Sequence, residues 1–155
     1  MDTADHARVL IRPTIAWPIA ALGGLALNWI RPLPFVPAAV PASLVGATAF
    51  AIAVALFAWA IVTMNRAGSN VPTDRPTTTI VDIGPYRFTR NPIYVGMMLG
   101  LIGLGIAFDS LWLLILLAAF ALVIRYGVVA REEAYLERKF GDAYRLYCMR
   151  VRRWL

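Results

Sequence analysis

Residues 93–124 read IYVGMMLGLIGLGIAFDSLWLLILLAAFALVI, thirty-two residues in which Asp109 is the only charge. Two apolar runs, Ile93–Phe108 and Leu111–Ile124, are separated only by Asp109-Ser110, and the second extends past Arg125 to Ala130. A helix that crosses the hydrocarbon core needs about 20 residues. Each run is short alone, but the two together read as a helical hairpin whose ends continue into polar flanking sequence. Upstream, Pro13–Ile30 gives 18 residues without charge and Pro41–Met64 gives 24. The prediction is an all-α integral membrane protein, a single membrane domain. Its four transmembrane helices cover about 13–30, 41–64, 93–108 and 111–130, the last two forming the hairpin.

The composition agrees. Of 155 residues, 60% are hydrophobic and 15% charged, against about 45–50% and about 25% in a soluble domain. Disorder and a water-soluble globule are therefore excluded as readings. The formal net charge of +6 resides on 15 basic residues, of which only Lys139 is lysine. Fourteen of the 15 lie before the first run, between the second and third, or after the fourth; Arg31 is the exception. Excess Lys and Arg marks cytoplasmic segments. Both termini, the loop over 65–92 and the segment 131–155 are thus expected in the cytoplasm. The charge is a topology signal and a guanidinium-rich working surface suited to phosphate or carboxylate, not a nucleic-acid footprint. Asp2 and Asp5 precede the first run, which is too long for a signal-peptide core, so it is expected to be retained. The connection RPLPFVPAAVP, Arg31–Pro41, carries four prolines and cannot be helical throughout. Cys148 is the only cysteine and His6 the only histidine, which excludes an internal disulfide and an ordinary His/Cys metal cluster. Both are read as incidental.

The chemistry must then lie in the two polar stretches, 65–92 and 125–155. In the first, Gly68, Ser69, Pro72 and Pro76 argue for loop. TTTIVDIGPY predicts a short extended piece turning at Gly84-Pro85, and Pro92 suits a helix start. In the second, Arg131–Phe140 is helix-forming, Gly141 is a C-cap or break, and further helix follows. Leu136 with Phe140, and Tyr144 with Tyr147 and Val151, form apolar or aromatic stripes. By pattern alone this is also what an amphipathic tail on anionic headgroups would look like.

The wording of the two stretches is more particular. GPYRFTRNPIYVG, followed after a hairpin by REEAYLERKFGDAYRLYCMRVRRWL, resembles the isoprenylcysteine carboxyl methyltransferase family and its relatives among membrane phospholipid methyltransferases. Gly84, Pro85, Tyr86, Arg90, Pro92, Tyr94 and Gly96 carry the first half of the likeness. Glu132, Glu133, Leu136, Phe140, Gly141, Tyr144, Tyr147, Val151 and Arg153 carry the second. It covers about residues 80–155. Two positions depart: Asn91 stands where that family usually has histidine, which leaves hydrogen bonding but not imidazole chemistry, and Arg152 replaces a frequent proline.

The resemblance implies transfer of a methyl from S-adenosylmethionine to a lipophilic acceptor that comes from the membrane, a prenylated or other lipid molecule. A carboxylate acceptor is already ionised at neutral pH, so no general base is needed, and the lack of a catalytic His or Cys fits methyl transfer. The implied cofactor contacts are Arg90, Asn91, Tyr94, Glu132, Glu133 and Tyr144, with Gly103 and Gly105 making room. Arg150 and Arg153 are the candidates for orienting the acceptor. Each has a plainer alternative. Glu132 and Glu133 could be a solvated pair at a helix start, and Arg90 and Tyr94 could be interface anchors. Arg150 and Arg153 could be headgroup ligands, and Tyr144 and Tyr147 could be packing residues. Gly96-x-x-x-Gly100 is a close-packing step, and Asp109 reads as a cap. Two other functional classes remain open: a nicotinamide-dependent membrane reductase of the sterol or enone type, and a non-enzymatic scaffold whose basic tail binds lipid. Four short helices enclose a lipophilic substrate poorly, which a homodimer could remedy. The arginine- and alanine-rich usage is compatible with a bacterial inner membrane.

Overall fold

The computed structural model of the chain describes residues 9–69 and 77–155. Asp2, Asp5, His6 and Arg8, and Pro72, Arg75 and Pro76 of the long loop, lie outside the described residues. The elements are α1 (Pro13–Ile30), α2 (Ala42–Arg66), a 3-10 turn (Gly84–Arg87), α3 (Pro92–Ala107), α4 (Leu111–Leu122), a π-helical segment (Val123–Val129), α5 (Ala130–Phe140) and α6 (Asp142–Arg150). There is no strand among the described residues. The β-branched run after Thr77 is irregular, and the Thr78 side chain ties it to the end of α2, Oγ1 donating to the Gly68 carbonyl at 2.6 Å. The helices open on prolines where the sequence placed them, Pro13 and Pro92, because proline has no N–H to leave unpaired in a first turn.

Three helical stretches are long and apolar enough to cross a membrane: α1, α2 and the continuous run Leu111–Phe140. The shorter α3, 16 residues, is the apolar partner of α2. The sequence treats the segment after Ala130 as a separate start, but the helix does not stop there. α4 passes through the π-helical segment straight into α5, since neither proline nor an αL residue interrupts it. At that segment the Gly127 carbonyl accepts the Leu10 N–H at 3.0 Å, and a Cβ at 127 would meet the Leu10 side chain in ordinary contact, at 3.4 Å. A wide turn thus anchors the chain that leads into α1. Such π segments recur where a helix has a second task.

Glycines set the spacing of the bundle. A Cβ on Gly103 would lie 2.6 Å from the Phe50 nitrogen and 3.0 Å from the Gly46 carbonyl oxygen, and one on Gly46 would run into the Ala107 backbone. Gly96 faces Ala53 and Phe57. The register Gly46–Ala107, Phe50–Gly103, Phe57–Gly96 makes α2 and α3 antiparallel with touching backbones, the close approach that small residues permit in membrane helices. Gly24 packs on Leu113 and Gly105 on Leu114, which sets α4 against both α1 and α3. The core is Ala16, Ala20, Ala21, Met97, Leu101, Leu113, Phe120, Ile124, Val128 and Val129. The outward positions are apolar as well: Ile19, Leu22, Ile52, Val54, Ile115 and Leu122 are all exposed.

At the end of the bundle away from most of the charge, Asp109 adopts φ 46°. Its Oδ1 accepts the N–H groups of Phe35 and Val36, both at 2.7 Å. The residue is a cap, but for the α1–α2 connection rather than for α4, whose start has no side-chain cap. Trp112 Nε1 donates to the Arg31 carbonyl at 2.8 Å in the same corner.

Gly103→Ala should lower stability by about 1–3 kcal/mol, because the added methyl overpacks a backbone contact. Gly23→Ala, which meets only the flexible end of Leu116 at 3.4 Å, should be near neutral. Thermal unfolding of both variants in one detergent would show the contrast; equal midpoints would contradict the packing described.

Candidate functional site

The other end of the bundle gathers the N-terminus of α3, α5, α6 and the last residues of the chain. The α4 run carries Arg125 as its one charge up to Ala130, and beyond it charged residues predominate. Glu132, half-buried, turns its carboxyl inward, where Oε1 accepts the Tyr94 hydroxyl at 2.8 Å. Burial pushes this carboxyl up to about 7. The Tyr94 hydrogen bond works against the shift, and the neighbouring Glu133 carboxylate adds to it. Glu132 therefore changes charge near neutral pH, which an exposed glutamate does not do.

Glu133, one residue on, points to a different set of partners. Its Oε1 and Oε2 accept Arg153 Nε and Nη2, each at 2.8 Å, a fork-to-fork pair. Arg90 Nη2 lies 3.4 Å from the same carboxylate, with both side chains largely buried. Arg90 Nη1 makes a close contact with Cys148 Sγ. Its Nε–H is buried and has no acceptor among the described residues. Two guanidiniums share one carboxylate here, which leaves one positive charge and one free donor.

Backbone bonds complete the corner. The Arg90 N–H donates to the Arg152 carbonyl at 2.9 Å. Thr89 Oγ1 and Asn91 Nδ2 both donate to the Arg153 carbonyl, at 3.1 and 2.9 Å. Asn91 thus acts as a neutral amide donor to a backbone oxygen, a task that needs no imidazole charge. Beneath it, Tyr144, Tyr147 and Val151 form a small core with Ile80, Leu136 and Phe140. These are the stripes read from the sequence, joined across a break at Gly141, whose φ of 53° suits glycine. Tyr147 donates to the Tyr86 carbonyl at 2.9 Å. Burial raises the phenols of Tyr86, Tyr144 and Tyr147 above the ordinary tyrosine value, so all three are neutral donors at physiological pH.

Of the residues singled out from sequence, Arg90, Asn91, Tyr94, Glu132, Glu133, Tyr144 and Arg153 come together at this end. Arg150 does not join them: it is exposed on α6, 3.6 Å from Asp82. Gly103 and Gly105 lie against Phe50 and Leu114, where protein occupies the space a side chain would take. Sequence reasoning missed Thr89, which is buried and bonded at both ends of its hydroxyl. It also set aside Cys148, although Tyr144 and Cys148 stand four residues apart on one helical face.

A 170 Å³ apolar cavity lies between α1, α2 and α3, lined by Trp17, Phe50, Val54, Phe57, Met97 and Gly100 among others. Met97 is one helical turn from Tyr94, and Trp17 Nε1 donates to the Met97 carbonyl at 2.8 Å. Val54 on its wall is exposed at the bundle's outer surface.

Comparison with known proteins places these features in a lineage. An uncharacterized protein of Haemophilus influenzae (strain ATCC 51907 / DSM 11121 / KW20 / Rd) is 64% identical over 36 residues, 23% of this chain and 57% of that protein. The nickel-cobalt-cadmium resistance protein NccN of Alcaligenes xylosoxydans xylosoxydans is 43% identical over 69 residues, 44% of this chain and 32% of NccN. The cobalt-zinc-cadmium resistance protein CzcN of Cupriavidus metallidurans is 40% identical over 69 residues, with the same two shares. The matched stretches thus span between about a third and just over half the length of these relatives. No solved structure matches. Residues 41–143 match the phospholipid methyltransferase family, a stretch that runs from the start of α2 to the start of α6. The chain belongs to the phospholipid methyltransferase family.

Proposed function

We propose that the chain is an S-adenosylmethionine-dependent methyltransferase of the membrane, acting on a lipophilic acceptor in the manner of isoprenylcysteine carboxyl methyltransferases. The observation that carries this reading is a pair of charged groups at this end: an inward-turned carboxyl, Glu132, held by Tyr94, and a guanidinium, Arg90, whose buried Nε–H has no acceptor among the described residues. A buried donor without a partner is costly, and a carboxylate ligand would relieve it. The cofactor's amino-acid end carries one ammonium and one carboxylate, so the residues present fit it. Arg90 would take the carboxylate and Glu132 the ammonium. When bound, the cofactor supplies an electrophilic methyl group.

The remaining work falls to the chain's own groups. The small core of Tyr144, Tyr147 and Val151 excludes water from the corner, and fixed charges act more strongly in such a place. Tyr94 holds Glu132 in one orientation. For a carboxylate acceptor, no proton need move before transfer. The apolar cavity one turn from Tyr94 supports an acceptor with a hydrocarbon chain, held so that its reactive end reaches the charged corner. In this reading four helical segments cross the bilayer and both chain ends face the cytoplasm, with the site at that interface. NccN and CzcN bear the names of metal-resistance proteins. Among the described residues, no group of three or more His, Cys, Asp or Glu could hold a metal ion, so the reading rests on the methyl-transfer corner.

Calorimetric titration of the purified chain with S-adenosylhomocysteine should show binding, and NADPH should show none. Glu132→Gln should weaken S-adenosylhomocysteine binding by about tenfold or more, the usual loss for a charged hydrogen bond. Binding of NADPH alone would overturn the reading. In the absence of ligand, a Glu132 carboxyl raised from 4.5 to about 7 favours the folded state fully below pH 4.5 and loses that contribution as pH rises through 7. The thermal midpoint of the wild type should therefore fall from pH 5 to pH 8 relative to Glu132→Gln. Parallel pH profiles for the two proteins would contradict the burial of this carboxyl.

A further inference from the structure

The two adjacent glutamates point to different partners. Glu132 accepts the Tyr94 hydroxyl on one oxygen, Oε1. Glu133 has both oxygens on Arg153 at 2.8 Å and a third contact to Arg90 at 3.4 Å. A carboxylate that already receives a fork from one guanidinium and an edge from another has little capacity left for a ligand. We propose that Glu133 is a positioning residue: it touches neither cofactor nor acceptor, and it sets the site by holding Arg153, and through it the chain end 151–154, against residues 89–91.

The bonds around it give the mechanism. The carbonyls of Arg152 and Arg153 receive three donors from the opposite side, the Arg90 N–H, Thr89 Oγ1 and Asn91 Nδ2. Arg153 thus ties α5 by its side chain and the start of α3 by its carbonyl. If Glu133 releases Arg153, the carbonyl is free to move, and the segment carrying Arg90 loses its outer support. Arg90 is the residue whose buried Nε–H lacks an acceptor among the described residues, so its aim depends on a carboxylate that the ligand does not meet. The geometry also accounts for Asn91. Its amide serves the same carbonyl as Thr89, and its job in this chain is to hold Arg153.

This inference rests on the methyltransferase reading only in what the ligand is. A double-mutant cycle between Glu133 and Arg153 separates the two questions. Glu133→Gln, Arg153→Gln and the double variant are measured in two ways: affinity for S-adenosylhomocysteine, and hydrogen exchange of the Arg90 amide, which donates to the Arg152 carbonyl. Alone, Glu133→Gln should weaken binding about tenfold and speed the exchange by a similar factor. In the Arg153→Gln background, it should change both by less than about twofold, because the partner through which it acts is already gone. If Glu133→Gln costs the same factor in both backgrounds, or weakens binding while leaving the Arg90 amide unchanged, Glu133 meets the ligand directly and the proposal is wrong. If the wild type binds no S-adenosylhomocysteine, the cofactor reading fails, and the exchange cycle alone still decides the positioning role. If Glu133→Gln does not fold, the cycle is run with Glu133→Asp and Arg153→Lys, which keep the charges but break the fork; coupling in exchange between them is again the expected result, and its absence overturns the proposal.

Discussion

A single carboxylate, that of Glu133, is shared by Arg153 in a two-bond fork and by Arg90 across 3.4 Å, and the arrangement of the charged end depends on it. The three residues come from α5, the chain end and the turn before α3, pieces far apart in sequence that meet at this one group. Held in this way, Arg90 keeps one buried N–H without an acceptor among the described residues. Removing one partner from such a cluster leaves an uncompensated charge in a poorly hydrated place, which costs far more than a surface pair would. The exposed ion pairs of the tail, Arg145 with Asp142 and Glu137, have no comparable consequence.

The bundle makes that cluster possible. Glycines at 46, 96 and 103 bring the α2 and α3 backbones together, and the turn at the far end, strapped by Asp109, returns the chain so that α4 runs back beside α3. The α4 helix then does not end at the apolar boundary. It continues through the π-helical segment and delivers Glu132 and Glu133 opposite Tyr94 and Arg90. The continuous helix couples a stretch dictated by the bilayer to one dictated by polar chemistry, and a packing change near Leu113 or Gly105 is in line with the carboxylates.

Much of this was legible in the sequence. Charge-free runs and prolines marked the helices, because a long apolar run in water has few other fates. The Tyr144, Tyr147 and Val151 stripe and the break at Gly141 followed from periodicity and from the backbone freedom of glycine. What could not be read was which partner each of two neighbouring glutamates would face. That depends on the rotation of a helix extended through a π-helical segment, whose wider turns shift the phase of everything after it. Cys148 lies beyond the break at Gly141, which sets the direction of α6, and Thr89 carries no signal until the chain end folds over it. Gly103 and Gly105 illustrate the converse ambiguity. A glycine makes room, but sequence does not say for what, and here the neighbours are Phe50 and Leu114.

If the charged corner of this family member binds a methyl donor beside a lipid-facing cavity, the chain should methylate a molecule drawn from the bilayer. The most direct test is to reconstitute it in vesicles of total bacterial lipid with methyl-labelled S-adenosylmethionine and to follow label into the organic-extractable fraction. Time-dependent labelling of a lipophilic product, lost with Glu132→Gln, is the expected result. Label that stays entirely in the cofactor, with the wild type folded and the acceptor pool complete, would contradict it.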